Sequence, residues 1–250
     1  MSHWYDKDGN PCYEVPNKSK GGTRPTTLRD AKKLGLCPSV TTVQGIVDKP
    51  ALVRWFKEQT ALAAWEIEKF NPKEAWVAEV IKKSTEVSDT AADIGSEIHD
   101  ALEKSHLGEE YPDDYKDIVD RVEAEVKRVF GARRWIAEKS FASPLGYGGK
   151  VDLHAPGIVL DYKTKDTLFD KKGKLKKLAW PNHCQQLAAY GHGLGLTPGF
   201  VAANVFVSYT GDVQIHVWSQ EEIDHEWKVF LATLNLWQLA NKYIPAAAAA

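Results

Sequence analysis

The chain has 250 residues, 43% of them hydrophobic and 26% charged, with 32 Lys and Arg against 34 Asp and Glu for a formal net charge of -2. That is ample apolar material for one folded core. No apolar run approaches the roughly 20 residues that cross a bilayer, and Met1-Ser2-His3-Trp4-Tyr5-Asp6 lacks the basic-then-apolar profile of a secretion signal, so no membrane partner and a cytoplasmic location are expected. Cys12, Cys37 and Cys184 are an odd set without C-x-x-C spacing and exclude a disulfide framework or a four-cysteine metal site.

The first forty residues are rich in Gly, Pro, Lys and Thr and read as a weakly ordered arm or small hairpin, with a loop at Lys18-Ser19-Lys20-Gly21-Gly22. From an N-cap at Asp48, Leu52, Trp55, Phe56 and Leu62 recur at helical spacing. Asn71-Pro72 interrupts that helix and starts another. A third amphipathic stretch runs from Thr90 to Leu107, and a fourth from Asp113 to Phe130 carries Ile118, Val122, Val126 and Val129 on one stripe. Trp55, Trp65 and Trp227 sit at core spacing and read as packing residues.

After Gly131 the period becomes that of strands: Arg134 to Phe141, Gly148 to His154 and Gly157 to Thr164, a three-strand meander. Pro181 to Leu194 returns to helix. Phe200 to Tyr209 and Val213 to Trp218 form a hairpin around Thr210-Gly211-Asp212. Ser219-Gln220-Glu221-Glu222 has capping-box spacing and opens a last helix. The order predicts an α/β (α+β) fold, a small mixed central sheet flanked by helices with a helical N-terminal portion. A single domain is expected, with residues 1–130 as arm and helical portion, 131–245 as the core of sheet and helices, and 246–250 as an alanine tail.

The third strand, Gly157 to Thr164, is apolar until it places Asp161 and Lys163 two apart, on one face by period-two alternation. Asp152 on the preceding strand lies near the turn, and the hairpin brings it beside its neighbour's acid. Two carboxylates at that range repel unless a cation neutralises them, which points to a hard divalent ion. The bland alternative is a solvated face with a surface ion pair. In the helix Asp93 to Glu103, Gly95, His99 and Glu103 form a stripe at i, i+4, i+8. Its glycine leaves room for another backbone or a nucleic-acid strand near His99. Downstream, Gln186 and Tyr190 share a helical face.

Together Gly95-x-x-x-His99, Gly149-x-x-Asp152, Asp161-Tyr162-Lys163-Thr164 and Gln186-x-x-x-Tyr190 resemble the RecB-type branch of the PD-(D/E)XK nuclease superfamily. The resemblance spans residues 38 to 195 and includes Pro38-Ser39-Val40-Thr41, similar to phage and mitochondrial single-strand DNA exonucleases of the branch. It implies a PD-(D/E)XK nuclease core and Mg2+ or Mn2+, one or two ions, held by His99, Asp152, Asp161 and the backbone carbonyl of Tyr162. Lys163 would be the catalytic lysine beside Asp161 and Asp152, and Gln186 and Tyr190 would brace the site or touch DNA. Glu138 matches an acid that some members carry, and Glu138 or Glu103 would complete a second ion's shell. Val151 and Leu160 stand where the motif name has proline, a departure that the branch tolerates. Relatives with an iron-sulfur cluster need four cysteines, so no cluster is expected.

From Lys163 to Lys177 there are seven lysines. Lys165, Lys171, Lys172, Lys174, Lys176 and Lys177 suit a phosphate backbone, and Trp180 could stack a base, against the alternative of a solvated loop without a partner. The expected function is a metal-dependent DNA exonuclease of phage-type recombination, replication or repair, acting on DNA that is single-stranded or has free ends. A single-strand annealing or binding protein and further copies of the chain are the expected companions. The alternatives are a structure-specific or restriction-like endonuclease of the same fold and a catalytically silent nucleic-acid-binding module.

Overall fold

A computed structural model of the protein describes residues 3–17, 21–196 and 199–245. Lys18, Lys20 and the alanine run lie outside the described residues. The elements in chain order are β1 (Trp4–Tyr5), β2 (Glu14–Pro16), β3 (Thr23–Pro25), α1 (Leu28–Leu34), β4 (Cys37–Pro38), α2 (Val40–Gln44), α3 (Pro50–Glu66), α4 (Lys73–Leu107), α5 (Lys116–Phe130), β5 (Ile136–Ser143), β6 (Tyr147–Ala155), β7 (Ile158–Lys165), α6 (Pro181–Gly193), β8 (Val201–Ser208), β9 (Val213–Val217) and α7 (Gln220–Asn241).

The central sheet has the order β5-β6-β7-β8-β9. Only β7 and β8 run parallel, with α6 in the crossover between them. A parallel pair is covered on both faces, which explains the nearly unbroken apolar runs Ile158–Leu160 and Val201–Val207. On one face Val159 and Ala202 meet α6, α7 and α2 through Leu187, Ala188, Phe230 and Val43. On the other, Ile158, Leu160, Tyr162, Ala203 and Val205 meet Ile98 and Leu102 of α4 and Val119 and Val122 of α5. The mixed sheet between helical layers, with a helical N-terminal portion, is the architecture that the periodicities predict.

Two regions differ from expectation. Within the first forty residues the described stretches around Trp4–Tyr5 and Ala31–Val40 are built into the core rather than left as an arm. Trp4 is 1% exposed, its indole Nε1 donates to the Thr26 carbonyl at 3.1 Å, and Tyr243 near the C-terminus donates to the carbonyls of Ala31 and Leu36. Local composition hid this because the apolar anchors, Trp4, Tyr5 and Leu36, are few and widely spaced. A hairpin, β2 with β3, is present. Second, the stretches expected to begin at Pro72 and Thr90 are one helix of 35 residues, α4. No proline lies between Lys73 and Leu107, so nothing breaks it.

The α3–α4 hairpin also corrects the reading of its tryptophans. Trp65 is 90% exposed and so lies outside the core, whereas Trp227 stacks on His192 at 4.0 Å as a core residue should. Trp55 is half-buried and lines a cleft described below. Among the described residues no helix is long and apolar enough to cross a membrane.

Candidate active site

The site begins where the sheet splits. β6 and β7 pair only over Leu153↔Leu160, His154↔Val159 and Ala155↔Ile158. Beyond that, β6 continues beside β5 and β7 beside β8. In the opening the Asp152 carboxylate takes the place of the strand partner: Oδ2 accepts from the Tyr162 backbone N–H at 2.8 Å. The first acid is thereby tied to the residue between Asp161 and Lys163. On β7 Tyr162 faces α4 and α5, and period-two alternation turns Asp161 and Lys163 toward α6.

Asp161 is 2% exposed. Its Oδ2 receives Lys163 Nζ at 2.7 Å and the Asn204 amide at 2.8 Å. Asn204 stands opposite Asp161 in the parallel register and accepts from the Trp218 indole at 2.8 Å. Lys163 Nζ also donates to Gln186 Oε1 at 3.1 Å, and the Gln186 amide donates to the Tyr190 hydroxyl at 2.8 Å. The chain Asp161–Lys163–Gln186–Tyr190 therefore locks the lysine from both ends. An ammonium has three donors; two are committed here, and one is left.

Electrostatics follow from burial. Burial is the largest influence on the Asp161 carboxyl and pushes its pKa up; the Asp152 charge adds to it, while the Lys163 ammonium opposes. For Lys163 burial is again the largest influence and pulls the pKa down, but Asp161 and Asp152 together outweigh it, so the ammonium is held above its ordinary range. The proton of this pair stays on lysine. Two carboxyl groups, Asp161 buried and Asp152 half-buried, face one lysine in this opening, an arrangement that a further cation would complement.

His99 approaches from α4, its Nδ1 3.7 Å from Asp152 Oδ2 and its ring edge-on to Tyr162. The close crossing of α4 and β7 depends on Gly95: a Cβ there would lie 2.7 Å from Thr164 Oγ1. Of the two expected neighbours, another backbone or a nucleic-acid strand, the space at this glycine is taken by the first: Thr164, the last residue of the Asp161–Thr164 motif on β7. Gly149 has a matching role, since its Cβ would lie 2.8 Å from the Tyr190 ring and 2.9 Å from Phe141. The four sequence motifs are thus linked, Gly95 to Thr164, Gly149 to Tyr190, Asp152 to Tyr162 and Lys163 to Gln186.

Glu138 on β5 falls between the pairs Ala137↔Leu153 and Lys139↔Val151, level with Asp152 on β6. Glu138 is ion-paired with Lys150, in a backbone conformation with φ 53°. Glu103 is half-buried one turn beyond His99, with no ion pair or hydrogen bond among the described residues. The lysine segment folds into a tight turn: Asp170 Oδ1 accepts from the backbone of Lys172 and Lys174, Phe169 bridges Leu175, and Leu168 and Leu178 anchor it on Phe206. Lys171, Lys172, Lys174, Lys176 and Lys177 are exposed. Lys176 reaches the Thr167 carbonyl, and Lys177 sits 4.2 Å over the exposed Trp180 ring. Lys165 is turned into a cleft of 800 Å3 with Trp55, Ile94, Thr164 and Tyr209. Its pKa is lowered, by burial first and then by the charge of Lys163.

Among the described residues no three His, Cys, Asp or Glu side chains are gathered into a ready-made metal shell. The donor chemistry nonetheless fits a hard divalent ion: two carboxylates and an imidazole converge on one opening, and no hydrogen bond among the described residues reaches Oδ1 of either acid.

Three residues near the site were not anticipated. Asn204 could have been suspected as a lone amide in the apolar run Val201–Val207. His106, bonded to the Tyr162 hydroxyl at 3.1 Å, follows His99 by two helical turns. His183 packs against Phe206 next to Lys163 with its Nδ1 buried and unpartnered among the described residues, and only the fold places it there.

No family model and no curated protein matches the chain. Among solved structures it is similar to one described as "Crystal structure of SSO0001", with 14% identity over 73% of this chain and 86% of that one and a TM-score of 0.31.

Proposed function

We propose that the chain is a divalent-metal-dependent deoxyribonuclease, an exonuclease that hydrolyses phosphodiester bonds at the split between β6 and β7. The observation that carries this reading is the convergence of Asp152, Asp161 and Lys163, with His99, in one opening of the sheet. The opening lies at the carboxyl end of the parallel strand β7, where open α/β sheets bind ligands. An Asp–Lys pair kept only for stability would have no use for a second acid and an imidazole beside it.

In this reading His99, Asp152, Asp161 and the Tyr162 carbonyl hold the ion. When bound, Mg2+ or Mn2+ supplies a Lewis acid for the phosphoryl oxygen and a more acidic water. Lys163 keeps its proton, so it does not act as a base; its remaining N–H is available to the attacking water or the developing oxyanion. Gln186 prevents that ammonium from swinging away, and Tyr190 fixes the Gln186 amide. Asn204 holds Asp161 by Oδ2 and leaves Oδ1 for the ion. The neighbouring cleft with Trp55, Tyr209 and Lys165 offers aromatic faces and a cation to an unpaired strand, and the exposed lysines of the 171–177 turn offer phosphate contacts.

The test is digestion of end-labelled linear single- and double-stranded DNA and of circular single-stranded DNA, each with magnesium, manganese or chelator. Metal-dependent release of short products from linear ends, with the circle left intact, supports the reading. Cleavage of the circle would make the enzyme an endonuclease, and no cleavage under any metal would sink the catalytic reading.

A further inference from the structure

His106 is a polar group near the site that the proposed chemistry does not use. It lies seven residues after His99, two turns along α4, so the two imidazoles share a helical face. Its Nε2 is 3.1 Å from the Tyr162 hydroxyl. Its other side borders a surface cavity of 760 Å3 with Asp120, Glu123, Lys127 and Arg133.

Tyr162 touches three parts of the site at once. Its backbone N–H donates to Asp152 Oδ2 at 2.8 Å. Its ring packs edge-on to His99, with centroids 5.9 Å apart and planes at 89°. Its hydroxyl ends on His106. The side chain is itself buried in the α4–α5 layer, where an apolar residue would pack without needing a partner. A buried phenol needs one, or it costs about 1–3 kcal/mol as an orphan. The hydroxyl therefore adds a constraint that burial alone does not require: it ties the ring of Tyr162 to the helix that carries His99.

We infer that His106 is a positioning residue of the cation site, acting through the Tyr162 phenol to fix the His99 ring and the Asp152 carboxylate. The inference rests on the proposed reading that this opening takes a divalent ion. A pair that served stability alone would shift the unfolding transition and leave cation binding unchanged. A positioning pair alters affinity in protein that is still folded, as loss of outer partners around metal ligands does by on the order of ten- to a hundredfold.

The experiment is a Mn2+ titration of the full chain by electron paramagnetic resonance, on the parent and on Tyr162→Phe, His106→Leu, His106→Gln and the Tyr162→Phe/His106→Leu double variant. Melting curves and circular dichroism identify the folded variants. Tyr162→Phe and His106→Leu are expected to weaken Mn2+ binding roughly tenfold or more, and the bound ion to lose the nitrogen coupling of an imidazole ligand. The double variant should be no worse than the worse single, because both break one link. His106→Gln, which still offers a hydrogen-bonding group, should recover most of the affinity. Folded single variants with parental affinity would overturn the inference, as would unfolding of both, which would assign the pair to stability. A parent that binds no Mn2+ fails before any substitution and overturns the cation reading itself.

Discussion

The heart of the sheet and the outer part of the α3–α4 hairpin put their apolar side chains to opposite use. Around Asp161, the polar groups on which the site depends are paired: Asn204 on Trp218, Gln186 on Tyr190, Tyr162 on Asp152 and His106. On the hairpin, Leu62, Trp65, Phe70 and Ile81 point outward. Helical spacing therefore identifies an element without saying which of its faces is covered. Where neighbours dictate each side chain, a substitution should be felt at once; where nothing packs against it, the same change should be mild.

The largest effect is expected at the acids. Asp161→Ala or Asp152→Ala should abolish cleavage of end-labelled DNA, and Asp161→Ala should also lower the melting temperature, because it leaves the buried Asn204 amide and the Lys163 ammonium without their shared partner. Parental cleavage at saturating magnesium would contradict the metal assignment. Lys163→Ala should lower turnover by on the order of a hundredfold or more and leave DNA binding in calcium nearly unchanged. The lysine turn should behave inversely. Neutralising Lys171, Lys172, Lys174, Lys176 and Lys177 should weaken binding and flatten its salt dependence by up to about one unit of slope per lost contact, with turnover of saturated enzyme intact. An unchanged slope would route the strand elsewhere.

Smaller effects probe how tightly the heart is determined. Asn204→Leu orphans the Trp218 indole and removes one donor to Asp161, and urea denaturation should show a loss of about 1–3 kcal/mol; a neutral result would mean that the buried amide is dispensable. His183 has its pKa lowered from the ordinary value near 6.5 to about 4, by burial first and then by the charge of Lys163. The unfolded chain therefore binds the proton more readily, so the contribution of the neutral ring is fully present above pH 6.5 and is lost as pH falls toward 4. His183→Gln should flatten the melting temperature across that window. On the hairpin, Trp65→Gln should change stability by no more than about 0.5 kcal/mol. A larger loss would show that the two regions are less different than their exposure indicates.

Much of this was legible in the chain. The period of two placed Asp161 and Lys163 on one face, and the short Ala155-Pro156-Gly157 turn placed Asp152 beside them, because both relations are local. Gln186 and Tyr190 were visible as a stripe at i, i+4. Asn204 was not, since its partner depends on a parallel register set through a crossover of more than thirty residues. Nor was the packing of Gly95 on Thr164, which depends on where two distant elements cross. The β6–β7 split was also hidden: the turn predicts pairing, and nothing local says that it stops after three residue pairs.

The unbroken length of α4 has a mechanical consequence. With Gly95 seated on Thr164 as a fulcrum, the helix is a lever of unequal arms: about 33 Å toward Lys73 and about 6 Å toward His99, at 1.5 Å per residue. If it pivots as a rigid rod, a sway of 1 Å at the far end moves the imidazole by only about 0.2 Å, the ratio of those arms. The hairpin can be pushed through several ångströms before His99 drifts by as much as one, so motion at the periphery is geared down before it reaches the chemistry.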